Sequence, residues 1–127
     1  MNLSEYFDNT QGYGVLSTAD QTGKVNTAMY ARPHFMDETT VAFIMLERLT
    51  HANLQENPYA AYLFLEKGSG YKGKRLYLKK IREEENNDLV KELCRRCDYS
   101  PHREQLTRFV VFFNVEKILP LVGAGQP

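Results

Sequence analysis

The amino-acid sequence predicts one mainly β domain, an antiparallel barrel or sandwich, and three observations lead there. Six short segments have the alternating or continuous apolar pattern of strands, and turn residues stand at their junctions. The segments do not alternate regularly with long helices, which argues against a doubly wound parallel sheet. A chain of 127 residues, 43% hydrophobic and 25% charged, has material for a single core, so residues 1–127 read as one domain.

The elements follow in order. Val15–Ala19 is a short strand ending at Asp20-Gln21-Thr22-Gly23, a turn in which Gly can take positive φ. Its hairpin partner, Lys24–Arg32, alternates. Val25, Thr27, Met29 and Ala31 form the side expected to be buried, and Asn26, Ala28, Tyr30 and Arg32 the side expected to be functional or solvated. Pro33 and the stretch Met36–Thr39 break that strand, and Thr40–Leu46, apolar on both faces, is expected to be central. A two-turn helix follows, with Leu49, Ala52, Asn53 and Glu56 at helical spacing and Thr50 as N-cap, and Asn57-Pro58 stops it. Tyr59–Leu65 is a buried strand and Lys67–Gly70 a flexible connection. Lys74–Ile81 is a fifth strand, Asn86–Cys97 an amphipathic helix, Phe109–Val115 a sixth strand, and the tail from Pro120 is loose. At this size a dimer would help cover apolar surface.

Sixteen basic and sixteen acidic side chains cancel. They are unevenly placed: residues 1–65 hold 3 basic and 7 acidic groups (3 − 7 = −4), and residues 66–127 hold 13 and 9 (13 − 9 = +4). Seven cations lie between Lys67 and Arg82 without an acid, followed at once by Glu83, Glu84 and Glu85. With Tyr71 and Tyr77 interleaved, this stripe resembles a surface for an anion or a nucleic-acid backbone, but the neutral total and the acidic triplet argue against nucleic acid. No apolar run reaches the ~20 residues of a membrane span and the N-terminus is acidic, so a cytoplasmic, membrane-independent protein is expected. Cys94, Cys97 and His102 offer three ligand types where structural zinc takes four, and the expectation is reduced thiols and no metal.

The strongest chemical signal is Met45–Pro58. A strand ends, Arg48 follows, and a helix begins whose first backbone N–H groups are free to bind an anion. Arg48 brings a bidentate fork, and Thr50 and His51 bring further donors, a set suited to a phosphate group. A capped helix beside a solvated Arg explains the same residues. On the preceding hairpin Asn26, Tyr30 and Arg32 project together, and a planar ring could lie along that strand and stack on Tyr30.

The order GVLSTAD, VNTAMYARP, RLTHANLQENPYAAYLF and GYKGKRLYL resembles the pyridoxamine 5′-phosphate oxidase-like family of FMN-binding split barrels, over about Leu3 to Leu121. Its most specific part is Arg48, Thr50, Asn53, Asn57 and Pro58, about twenty residues after Asn26-Thr27. The resemblance implies a six-stranded antiparallel split β-barrel (Greek key) with short helices, forming a homodimer that holds FMN in clefts between subunits. It places the FMN phosphate at Arg48 and Thr50, with Leu49, His51 and Asn53 of the same segment among the cofactor-binding candidates. Leu49 stands where many members have Lys. The backbone of Ala28, Met29 and Tyr30 is then along the isoalloxazine edge, Asn26 and Thr27 are near the ribityl chain, and Tyr71, Lys72 and Arg75 approach from the partner subunit.

Arg32 and His34 become candidates on the substrate side, and Arg32 or Arg75 could stabilise an anionic reduced flavin. The segment KILPLVGAGQP lacks the Arg with which the vitamin B6 oxidases grip substrate phosphate. A flavin reductase-like oxidoreductase with a small-molecule electron donor and acceptor is therefore expected. The alternatives are an FMN carrier, a haem or deazaflavin binder, or a nucleic-acid module working through the stripe 67–82.

Overall fold

The computed structural model describes residues 2–68, 70–85 and 107–123. Among these residues two helices, α1 (Leu3–Asn9) and α2 (Leu49–Glu56), accompany seven strands. The strands are β1 (Gly12–Ala19), β2 (Val25–Tyr30), β3 (His34–Phe35), β4 (Thr40–Leu46), β5 (Tyr59–Glu66), β6 (Gly73–Glu84) and β7 (Arg108–Pro120). All pairings are antiparallel, in the order β2-β1-β5-β6-β7-β4-β3, and the ladder does not close. The sheet thus has seven strands rather than six; the added one, β3, is two residues paired to β4 after Pro33 breaks β2. β4 lies second from the β3 edge and not at the centre. It is nonetheless apolar on both faces because each packs on a buried cluster: Val41, Phe43 and Met45 on the main core, Ala42 with Val110 and Phe112 on a second.

The β1–β2 hairpin turns where the sequence places it. The Asp20 carboxylate accepts from the Thr22 N–H and hydroxyl and from the Lys24 N–H, at 2.7–3.0 Å, and Gly23 takes φ 90°. α1 was not expected from the sequence. Asn2 caps it by accepting from the Glu5 N–H at 2.8 Å, and it inserts Phe7 against Tyr6, Phe35, Tyr62 and Phe64. Phe43 carries the ring cluster on to Tyr62, Phe113 and Tyr30. Tyr62 is fully buried, and its hydroxyl donates to the Tyr30 and Ala31 carbonyls. A Cβ added at Gly14 would fall on that hydroxyl, so β1 needs glycine there.

β2 faces the opposite way from the sequence expectation. Val25, Thr27, Met29 and Ala31 are exposed, and Asn26, Ala28, Tyr30 and Arg32 are half-buried. Alternation distinguishes the two sides of a strand without saying which is inside. What decides it is α2, whose Thr50 supplies a polar partner on the inner side. β6 and β7 are also longer than expected, each running on to pair as far as Lys74–Pro120 and Glu84–Val110. The helix expected over Asn86–Cys97, with Cys94, Cys97 and His102, lies outside the described residues.

Candidate functional site

Leu46 ends β4, Glu47 and Arg48 are exposed, and α2 begins. The N-cap is Arg48, in extended backbone (φ −135°, ψ −167°) and without a side-chain capping bond, rather than the expected Thr50. The first intrahelical bond runs from the Ala52 N–H to the Arg48 carbonyl, so the preceding N–H groups have no partner in the helix. Thr50 sits inside the first turn, 5% exposed, and accepts from Asn26 Nδ2 at 3.2 Å. The same hydroxyl also makes polar contact with Tyr30, so it stands between the Asn26 amide and the Tyr30 phenol. One turn on, Asn53 is buried and donates to the Thr18 hydroxyl at 3.1 Å. α2 therefore rests on β1 and β2 through a polar seam, and Leu54 is its one buried hydrocarbon side chain.

Tyr30 closes this corner from below. Its ring meets Phe43 edge-on at 6.0 Å. Burial pushes its phenol above the ordinary value, and polar contact with Thr50 and the charge of Arg48 draw it part of the way back. Asn26, Tyr30, Arg48, Thr50 and Asn53, singled out along the sequence, are thus brought to one place.

His51 looks elsewhere. Its ring lies flat on Phe109, centroids 3.9 Å apart at 13°, and Nε2 is 2.8 Å from Glu83 Oε2. Gln55 donates to Glu83 Oε1 at 2.8 Å and to the His51 carbonyl at 3.1 Å, and Lys80 completes the group. Burial opposes the Glu83 charge, but hydrogen bonds from Gln55, Lys80 and His51 outweigh it and hold the carboxyl down to about 2. In the sequence Glu83 marks only the end of the basic stripe. The one available signal was its being the first acid after seven cations.

The remaining candidates are dispersed. Leu49 and Met29 are exposed, Ala28 is half-buried, and the Thr27 hydroxyl pairs with Ser17 at 3.1 Å. Arg32 reaches the Phe7 and Thr10 carbonyls at the end of α1, and Arg75 the Pro120 and Gly123 carbonyls. His34 is half-buried in β3. Tyr71 and Lys72 are exposed after the end of β5, while α2 precedes its start. The Glu66 N–H donates to the Lys72 carbonyl at 2.9 Å, which ties Tyr71 and Lys72 to the end of β5 away from Pro58. Most of the stripe is engaged locally: Lys74 over the Tyr6 ring, Lys79 over Tyr59, Arg82 over Phe112, Lys80 on Glu83.

No family model matches the chain, and no curated protein matches it. Solved structures do. An FMN-binding protein from Syntrophomonas wolfei subsp. wolfei superposes with a TM-score of 0.76 at 19% identity, covering 96% of this chain and 85% of that one. A protein from Lactobacillus delbrueckii assigned as a pyridoxamine 5′-phosphate oxidase gives 0.66 at 17%, covering 91% and 88%. HutZ, the heme storage protein from Vibrio cholerae, gives 0.65 at 15%, covering 94% and 95%. The chain has the split-barrel fold of the pyridoxamine 5′-phosphate oxidase-like proteins. In this split barrel β2 meets α2 through Asn26, and Arg32 just after it meets the end of α1, with the polar corner beside the outer edge of β2. Among the described residues no helix is long and apolar enough to cross a membrane.

Proposed function

We propose that this split barrel is an FMN-binding flavoprotein, with the flavin phosphate at the start of α2. The observation that carries this is the pairing of a buried, pre-positioned Thr50 hydroxyl with an exposed Arg48 fork and first-turn N–H groups. Together they supply a charge, a hydroxyl donor and helix-end N–H groups, the donor set a phosphate dianion takes. The β2 edge strand, at Ala28–Tyr30, offers backbone groups to the flavin ring, and the same strand, at Asn26 and Thr27, is assigned to the ribityl chain. When bound, FMN supplies one- or two-electron transfer; the chain supplies anchorage, orientation and exclusion of water.

A homodimer belongs to the same proposal. The outer faces of β2, β1 and β5 align Met29, Val15 and Leu63 across three strands by register. Val25 is 77% and Met29 65% exposed, an apolar surface of the kind a second copy would cover. A second copy is also the source that the family resemblance implies for Tyr71 and Lys72 at an α2 start. The neighbouring FMN-binding protein supports the flavin reading, and an oxidoreductase of the flavin reductase type is its enzymatic form.

The test is titration of the apoprotein with FMN and with riboflavin, which lacks the phosphate. Wild type should prefer FMN, and Arg48→Ala should reduce FMN affinity by ~1.5–3 kcal/mol while leaving riboflavin binding in place. Equal affinity of wild type for the two flavins would remove the phosphate from this site.

A further inference from the structure

An anion site at a helix end is only as well defined as the helix, and α2 is short and seated on few apolar contacts. Thr50 and Asn53 hold it toward β1 and β2. His51 lies about 100° further round the helix than Thr50 and so anchors it from a second direction. That anchor is the Glu83 carboxylate, which takes His51 on one oxygen and Gln55 on the other, gripping α2 at two positions one turn apart.

Glu83 reaches the helix because of an irregularity in β6. Residues three apart in a regular strand point to opposite faces. Between Lys80 and Arg82 the register against β7 slips by one residue, with Lys80 opposite Phe113 and Arg82 opposite Phe112, leaving Ile81 over and exposed. The slip resets the alternation, so Lys80 and Glu83 share the face toward α2 and pair there. Phe109 completes the seat by stacking under the imidazole.

We infer that Glu83 is a positioning residue for the anion-binding end of α2, acting through His51 and Gln55 to fix the rotation of the helix and hence the direction of Thr50 and the first-turn N–H groups. This rests on the phosphate reading above. It predicts a loss confined to the phosphate part of the ligand.

In Glu83→Gln, one carboxylate oxygen becomes an NH2 facing donors. FMN affinity should fall about tenfold while riboflavin affinity stays within about twofold, and the phosphorus-31 resonance of bound FMN should shift. His51→Gln should produce the same pattern, and the double variant should lose no more than the larger single loss, since both break one chain of contacts. If Glu83→Gln does not fold, the exposed Gln55→Ala carries the same comparison. Retention of the wild-type FMN preference in these variants, equal loss of both flavins, or additive losses would overturn the proposal. Wild type that prefers FMN while Glu83→Gln keeps that preference sinks this inference alone; wild type without the preference sinks the phosphate reading first.

Discussion

Replacing Thr50 with valine removes one hydroxyl and keeps the branched shape of the side chain. The site is 5% exposed, so the methyl that replaces the hydroxyl meets protein and not water. Asn26 Nδ2 loses its acceptor at 3.2 Å, and the Tyr30 hydroxyl loses its polar contact. A fully buried donor left without a partner costs about 1–3 kcal/mol. Asn26 and Tyr30 are half-buried and can recover part of that from water, so the expected destabilisation is about 1–2 kcal/mol. For a domain of this size that is a fall in melting temperature of roughly 3–10 °C.

Thermal and urea unfolding of the apoprotein measure it, with Thr50→Ser as the variant that restores the hydroxyl. The same valine should weaken FMN and spare riboflavin, because the hydroxyl proposed to meet the phosphate is gone. Arg48→Ala separates the two effects: the exposed, non-capping arginine should cost affinity and leave the melting temperature unchanged. If Thr50→Val melts with wild type, the polar seam does not hold α2 and the geometry argued for the site is wrong.

Gly14→Ala should destabilise by about 1–3 kcal/mol, since the new methyl falls on the buried Tyr62 hydroxyl; urea unfolding that matches wild type would mean Tyr62 can move aside. The Glu83 carboxyl, held at about 2 against an ordinary 4.5, contributes stability that is complete above pH ~4.5 and disappears as pH falls toward 2. Glu83→Gln should flatten the pH dependence of unfolding in that window, and an unchanged slope would place the acid sensitivity elsewhere. Light scattering should show a dimer, and Met29→Glu, which sets a charge on the exposed apolar face, should shift it to monomer; a wild-type monomer that still binds FMN tightly would remove the shared-cleft arrangement.

Local chemistry was legible wherever the cause is local. The Asp20–Gly23 turn, the break at Pro33, the stop at Asn57-Pro58 and the extent of β4 each depend on a few adjacent residues, and each stands within about a residue of where the sequence puts it, while the α2 cap falls two residues before the one the sequence offers. α1 escaped because seven residues with a single buried side chain leave little periodicity to read. Phe7 acquires its meaning only from Phe35, Tyr62 and Phe64, distant in the chain. The cation stripe shows the same limit. Its charge is plain in the sequence, but the partners that occupy it, Tyr6, Tyr59, Glu83 and Phe112, are assigned by strand pairing and helix packing.

By itself the sequence determined the elements and their chemistry: an antiparallel β domain, a helix start carrying Arg48 and Thr50, and a strand with Asn26 and Tyr30 on one side. The tertiary structure decided orientation. It turned Asn26 and Tyr30 inward beneath α2 and Val25 and Met29 outward, and it moved the cap from Thr50 to Arg48 so that the threonine hydroxyl serves the site. Through one bulge in β6 it also aimed Glu83 at His51. A period of two marks two faces but not which of them is buried, and one inserted residue inverts it; both are settled by what packs across the strand.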